Sequence, residues 1–229
     1  LSNSPLQINV TLIKTDTYAP THVADDHMTR FYKSLDEIKK MKFDGMIVTG
    51  APVETLPFEE VKYWHELEQI IDFADKNVTS TIYICWGAQA ALYHKFGINK
   101  HILDKKLFGI FPTHAVVKND MLLKGMDETA LRENPNIKIL AEGDETGVAI
   151  AKTLDNKSFF FTGHSEYDRY TLRNEYLRDL EKGLSIERPK NYFANDDVDK
   201  VDMKWRSTAN LLFYNWLNYY VYQVTPYRL

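Results

Sequence analysis

Thr81-Ile-Tyr-Ile-Cys85-Trp86-Gly87-Ala88-Gln89 passes without a spacer from a β-branched strand pattern into a helix expected over residues 87–96. Cys85 therefore sits at a strand-to-helix corner, and open parallel sheets hold their chemistry at that edge. Upstream, residues 7–13 and 45–49 read as strands. Residues 35–41 and 59–74 read as helices, the second with Val61, Leu67, Ile70, Ile71 and Ala74 at helix-compatible spacing. Downstream, residues 138–142, 148–152 and 158–162 read as strands, the last ending at Gly163-His164. A helix capped by Gly183 follows over residues 173–184, and a polar loop with Asp196, Asp197 and Asp199 leads into a final helix over residues 205–224. Strands alternating with helices predict an α/β fold with a parallel sheet. With no repeat, low-complexity run or linker, one domain over residues 1–229 accounts for the pattern.

A chain of 229 residues with 44% hydrophobic content can bury one substantial core. Its 28 basic residues against 32 acidic ones give a net charge of -4, the wrong sign for broad phosphate-backbone binding, so no nucleic-acid partner is expected. One cysteine cannot form an internal disulfide, and a cytoplasmic address fits best. The first residues lack the basic and apolar regions of a signal peptide. The most apolar stretch, residues 211–224, is shorter than the roughly 20 residues of a membrane span and is interrupted by Asn215 and Asn218. It reads as a packed helix, and no membrane partner is expected.

The corner suits a nucleophile. A free thiol has a pKa of about 8.5, so little thiolate exists at neutral pH without help. The helix beginning at Trp86 turns free backbone N–H groups toward the sulfur, favouring thiolate and able to hold an oxyanion. A base is still required. His164 and Glu166, two residues apart, share a side if the extended geometry continues past the strand, so the carboxylate can orient the imidazole. A lone cysteine is more often a small buried hydrophobe than a nucleophile. The corner and the His-x-Glu pair outweigh that reading here. His22, His27, His65, His94, His101 and His114 show no zinc spacing, and one thiol cannot build a structural site, so no metal is expected and these six take surface or core roles.

The runs Cys85-Trp86-Gly87-Ala88-Gln89-Ala90, Gly163-His164-Ser165-Glu166-Tyr167-Asp168 and Trp205-Arg206-Ser207, with the aromatic tail through Tyr227, resemble the homoserine O-succinyltransferase/O-acetyltransferase family. The segments from Phe43 to Pro52 and from Val78 to Thr81 extend the likeness from end to end. That family is similar in fold to class I glutamine amidotransferases. The resemblance implies a flavodoxin-like, mostly parallel sheet with helices on both faces, and a triad of Cys85, His164 and Glu166. It also implies a cytoplasmic bacterial homodimer at the start of methionine synthesis, with L-homoserine and acetyl-CoA as substrates and no permanently bound cofactor. Arg178 matches an arginine that the family uses for the homoserine carboxylate. Glu54 stands where glutamate accompanies acetyl-CoA use and glycine succinyl-CoA use, since a carboxylate fills the space of a longer acyl chain and repels its charged end. The Trp86 and Val53 amides are the expected oxyanion donors; Pro52, without an N–H, is not.

The chain departs from the family pattern in three places. Its N-terminal stretch is short, a segment rich in Pro, His, Ser and Arg is absent between Leu131 and Arg132, and Ser165 replaces a frequent proline. The chain is accordingly expected to be the ordered part of a longer one. Two rivals stand beside acyl transfer. A class I amidotransferase-type glutaminase shares Cys-x-Gly-x-Gln and His-x-Glu, although Tyr83 occupies a place where that family typically has glycine. The other is a non-catalytic flavodoxin-like binding module.

Overall fold

In the computed structural model, which describes residues 4–17, 31–103, 106–116 and 133–226, β1 (Leu12–Ile13) and β2 (Tyr32–Lys33) form a small parallel pair. Helix α1 (Leu35–Ile38) follows, its start closed by a capping box in which the Glu37 carboxylate accepts the Ser34 N–H at 2.8 Å. Next come β3 (Phe43–Val48), α2 (Trp64–Asn77), β4 (Val78–Ile84) and α3 (Trp86–Phe96). The short β5 (His114–Ala115) precedes β6 (Ile137–Gly143), β7 (Gly147–Thr153) and β8 (Ser158–Phe161). Helices α4 (Thr171–Glu181) and α5 (Arg206–Asn215) close the chain, and α5 widens into a π-helix over Trp216–Tyr222.

The main sheet has six strands in the order β3-β4-β8-β7-β6-β5. Pairings β3/β4 and β4/β8 are parallel, whereas β8/β7, β7/β6 and β6/β5 are antiparallel. The expected α/β architecture with helices on both faces is found, but the sheet is parallel only across the strands that carry the candidate site and is mixed as a whole. Connection length explains the reversal. Only three residues separate β6 from β7 and four separate β7 from β8, far fewer than a parallel crossover of a dozen or more needs. Asn156 and Gly147, at φ 61° and 62°, supply the left-handed backbone those turns require.

β8 shows how the two faces are filled. Phe159 and Phe161 point to one side, where they meet Tyr220 (centroids 4.7 Å apart) and Phe213 (5.9 Å) of the C-terminal helical segment. Phe160 points to the other, stacking on Tyr83 at 5.8 Å and meeting Phe96 of α3 edge-on at 6.3 Å. All three are buried, and each such side chain contributes roughly 1.5–3 kcal/mol. This ring-on-ring packing fixes β8 beside β4, in the register Ile84↔Phe161.

Two glycines allow the helices to approach. A Cβ on Gly45 would stand 2.9 Å from the Trp216 ring, whose Nε1–H donates to Ser80 Oγ at 2.9 Å inside the core. A Cβ on Gly87 would stand 2.9 Å from the carbonyl oxygens of both Val48 and Thr49, so its absence seats the start of α3 on the end of β3. Elsewhere the elements depart from expectation in detail. The strand expected over residues 7–13 is regular only at β1, and β2 and β5 are additions. The helix expected from Glu59 begins at Trp64, because Phe58–Glu60 is a 3-10 turn that ends at an extended Val61. The final helix is α only to Asn215; beyond it, bonds such as Gln223 N–H to Asn218 O at 3.0 Å are π-type. No helix among the described residues is long and apolar enough to cross a membrane.

Candidate active site

Cys85 lies between the last residue of β4 and the first of α3, and its backbone stands at φ 53°, ψ -123°. An L-residue rarely adopts this conformation, which costs about 1–3 kcal/mol and persists only where its surroundings enforce it. They do so here. Cys85 N–H donates to Phe161 O at 2.6 Å, and Cys85 O accepts from Ala88 N at 2.9 Å and Gln89 N at 3.2 Å. One bond ties the residue to β8 and two tie it to α3. The Trp86 N–H, next along the chain, has no acceptor among the described residues.

His164 reaches this corner from the segment after β8. Its side chain faces Cys85 closely enough for the thiol to act on its ionisation, and its Nδ1 lies 2.6 Å from Glu166 Oε1 on the other side. Desolvation alone would lower the pKa of this imidazole. Hydrogen bonds and charge from Cys85 and Glu166 outweigh it and push the value up to about 10. The three expected triad members thus come together. The reason differs in one respect: β8 ends at Phe161 and residues 165–166 form a turn, so the His–Glu pair meets through a turn rather than along a continuing pleat.

The loop after β3 borders the corner. A Cβ on Gly50 would lie 3.2 Å from both Cys85 Cβ and Trp86 N, which places residues 50–54 at the thiol's edge of the sheet. Val53 N–H donates to Ala51 O at 2.8 Å, so this expected oxyanion donor is engaged within its own loop. Glu54 is exposed, and its carbonyl and that of Leu56 accept from Lys100 Nζ at 2.8 and 2.5 Å. Sequence reading gave Lys100 and Gly50 no part in shaping this loop.

Arg178 is already engaged. It lies on α4 with its side chain 54% exposed, and its guanidinium holds Asp179 Oδ1 through Nη2 at 2.7 Å and Nε at 2.9 Å. It does not line the cleft of about 550 Å³ that opens beside Glu166 between the carboxyl ends of β3 and β4 and helix α5, whose walls include Ile47, Ile84, Tyr167, Trp205, Arg206 and Phe213. Sequence reading quoted Tyr167, Trp205 and Arg206 without assigning them a place there. The remaining described histidines have ordinary roles: His94 bridges Glu68 and Asp72 at 3.3 and 2.9 Å, His65 pairs with Glu68 at 3.0 Å, His114 lies 3.9 Å from Glu142 and His101 is exposed. His22, His27 and the Leu131–Arg132 junction lie outside the described residues. Among those described, no group of three or more His, Cys, Asp or Glu is placed to hold a metal ion.

Comparison with known proteins gives the family of the chain. A protein of Acetivibrio thermocellus named homoserine O-acetyltransferase is 50% identical, the match covering 100% of this chain and 80% of that one. Proteins of the same name from Shouchella clausii and Clostridium acetobutylicum are 48% and 50% identical, over 100% of this chain and 79% and 81% of theirs. A solved structure described as the crystal structure of SMU.1228c shares the fold at a TM-score of 0.53 and 18% identity, covering 76% of this chain and 79% of its own. The family model described as homoserine O-succinyltransferase matches residues 1–227, and the chain belongs to that family.

Proposed function

We propose that this protein transfers an acetyl group from acetyl-CoA to the hydroxyl of L-homoserine, by way of a thioester on Cys85. The names of relatives about half identical over the whole chain support the reaction. The observation that carries the mechanism is the position of His164, beside Cys85 and held by Glu166 at 2.6 Å.

A protonated His164 beside the sulfur, together with the α3 amides, stabilises a thiolate. The thiolate attacks the thioester carbonyl of acetyl-CoA, and the Trp86 N–H receives the developing oxyanion. Val53 N–H joins it if the loop exchanges its bond to Ala51 O. The carbon–sulfur bond to coenzyme A breaks, and His164 gives its proton to the departing sulfur. The homoserine hydroxyl then passes its proton to His164 and attacks the acetyl carbonyl, and the bond to Cys85 breaks to release O-acetylhomoserine. Ping-pong kinetics follow. Arg178 offers its guanidinium fork to the homoserine carboxylate by sharing or exchanging Asp179. Acetyl-CoA enters as co-substrate, and no permanently bound cofactor is assigned. The working form is a cytoplasmic homodimer of single-domain subunits.

The description of the matching family favours a second reading, succinyl transfer. Glu54 on the loop at the thiol's edge supports acetyl instead, by excluding a longer acyl chain that ends in a carboxylate. The test is to mix the full chain with acetyl-CoA in the absence of homoserine and map the peptides by mass. An acetyl group on the Cys85 peptide is expected, absent from Cys85→Ala. A folded protein whose thiol stays unmodified, or one that hydrolyses glutamine instead, would overturn the proposal.

A further inference from the structure

We infer that Tyr167 is a positioning residue for His164, its hydroxyl held by Glu175 and its backbone carbonyl by Trp205 so that the imidazole keeps one edge toward Cys85 and the other toward Glu166. The inference rests on the acyl-transfer reading for its kinetic consequences, though its geometry stands independently.

The Tyr167 ring stacks on the His164 ring with centroids 4.2 Å apart and planes 21° from parallel. The 163–168 turn brings them together: residues three apart lie face to face once the strand ends at Phe161. Two bonds from distant segments hold Tyr167. Its O–H donates to Glu175 Oε1 of α4 at 3.0 Å, and its carbonyl accepts the Trp205 Nε1–H at 3.1 Å. Trp205 is itself braced by stacking on the fully buried Tyr192 at 5.8 Å. The clamp therefore draws on three separate stretches of chain, all converging on Tyr167, whose ring covers the imidazole's face.

Two physical effects follow. A ring seated on another ring restricts rotation of the imidazole, and rotation is the motion that would break its bond to Glu166 and turn its other edge away from Cys85. The phenol face is also electron-rich, so it favours the charged imidazolium over the neutral ring. Glu175 strengthens this by accepting the phenolic hydrogen in a charge-assisted bond. Burial and Glu175 both raise the phenol's own pKa, which keeps it a neutral donor. The charged and titratable groups around the stacked pair are Cys85 at the corner, Glu166 in the turn, and Glu175 and Arg178 on α4, with Asp168 and Arg206 on the adjoining cleft.

The experiment uses full-chain Tyr167→Leu, Tyr167→Phe and Glu175→Ala. In each, the rate of Cys85 alkylation by iodoacetamide is followed against pH without substrate, alongside steady-state kinetics. For Tyr167→Leu the alkylation midpoint should rise by about half a unit to one unit, because the imidazolium that supports the thiolate is weakened. Its kcat should fall about tenfold or more, with KM for both substrates changing less than about threefold. Tyr167→Phe keeps the stack but loses the tether, and Glu175→Ala loses the tether alone; both should lie between wild type and Tyr167→Leu. A folded Tyr167→Leu protein with the wild-type midpoint overturns the inference. Should that variant fail to fold, unshifted midpoints in both tether variants overturn it instead. Alkylation needs no acetyl donor, so loss of the acetyl-transfer reading would show as an unacetylated wild type while this result stood.

Discussion

Gly50 and Cys85 face each other so closely that a methyl group on residue 50 would stand 3.2 Å from the Cys85 Cβ and as near to the Trp86 nitrogen. The space beside the thiol and its adjoining amide is thus the space of a missing side chain. Gly50→Val should fold with near wild-type circular dichroism yet lose about a hundredfold in kcat/KM, since small displacements at a reacting atom carry such costs. Gly50→Ala, whose single carbon needs only a few tenths of an ångström of give, should lose less. Equal, wild-type activity in both would contradict the tight approach.

The ionisation of His164 carries a sign that can be checked. Desolvation draws its pKa down, whereas bonds and charge from Cys85 and Glu166 bring it up to about 10. In Cys85→Ser one of the two raising partners loses its capacity for charge, so an NMR titration of the His164 ring should fall below the wild-type value. Stability has the same origin. A folded pKa raised above the ordinary 6.5 contributes stability fully present below that value and lost as pH climbs toward about 10. The difference in unfolding free energy between wild type and His164→Ala should therefore narrow across that window, and a difference that widens with rising pH would contradict the assignment.

Donor choice turns on the loop whose carbonyls Lys100 holds. Glu54→Gly should reduce the acetyl-CoA rate and admit succinyl-CoA, shifting the ratio of kcat/KM values for the two donors by about tenfold to a hundredfold. An unchanged ratio would remove Glu54 from selection. Lys100→Met, which releases the carbonyls of Glu54 and Leu56, should shift the same ratio more weakly.

Gly45 offers a test of the fold away from the chemistry. Its neighbour is the indole of Trp216, pinned in place by the Ser80 hydroxyl. Gly45→Ala should cost about 1–3 kcal/mol in chemical denaturation by overpacking, with kcat retained in the folded fraction. A stabilised variant would mean that the ring can retreat.

The corner at Cys85 was legible because its signal is local: a β-branched run stops, a helix starts, and the residue between must turn sharply. His164 and Glu166 were legible by their position just past another strand. The direction of β6 and β7 was not read, although the residues between β6 and β8 held the information in their short turns, because alternation alone is blind to whether a neighbour runs up or down. Tyr167 went unassigned for a different reason. Its role depends on Glu175 and Trp205, and nothing in one-dimensional spacing says that residues from α4 and from the start of α5 will bind the same residue, one at its hydroxyl and one at its carbonyl. Arg178 marks the converse case: the matching residue type was visible, and the structure gives it Asp179 as its partner.

The bond from Cys85 N–H to Phe161 O joins two neighbours in space that stand 76 positions apart in the chain, Cys85 and Phe161. The described strands of the excursion between them, β5, β6 and β7, lie beyond β8 from β4, on the far side of that seam. Insertions or deletions within that excursion can therefore be absorbed without moving sulfur relative to imidazole, so long as β8 comes back in step. A shift of β8 by a single residue would do the opposite: it would turn three phenylalanines inside out and carry the base about 3.3 Å off its target.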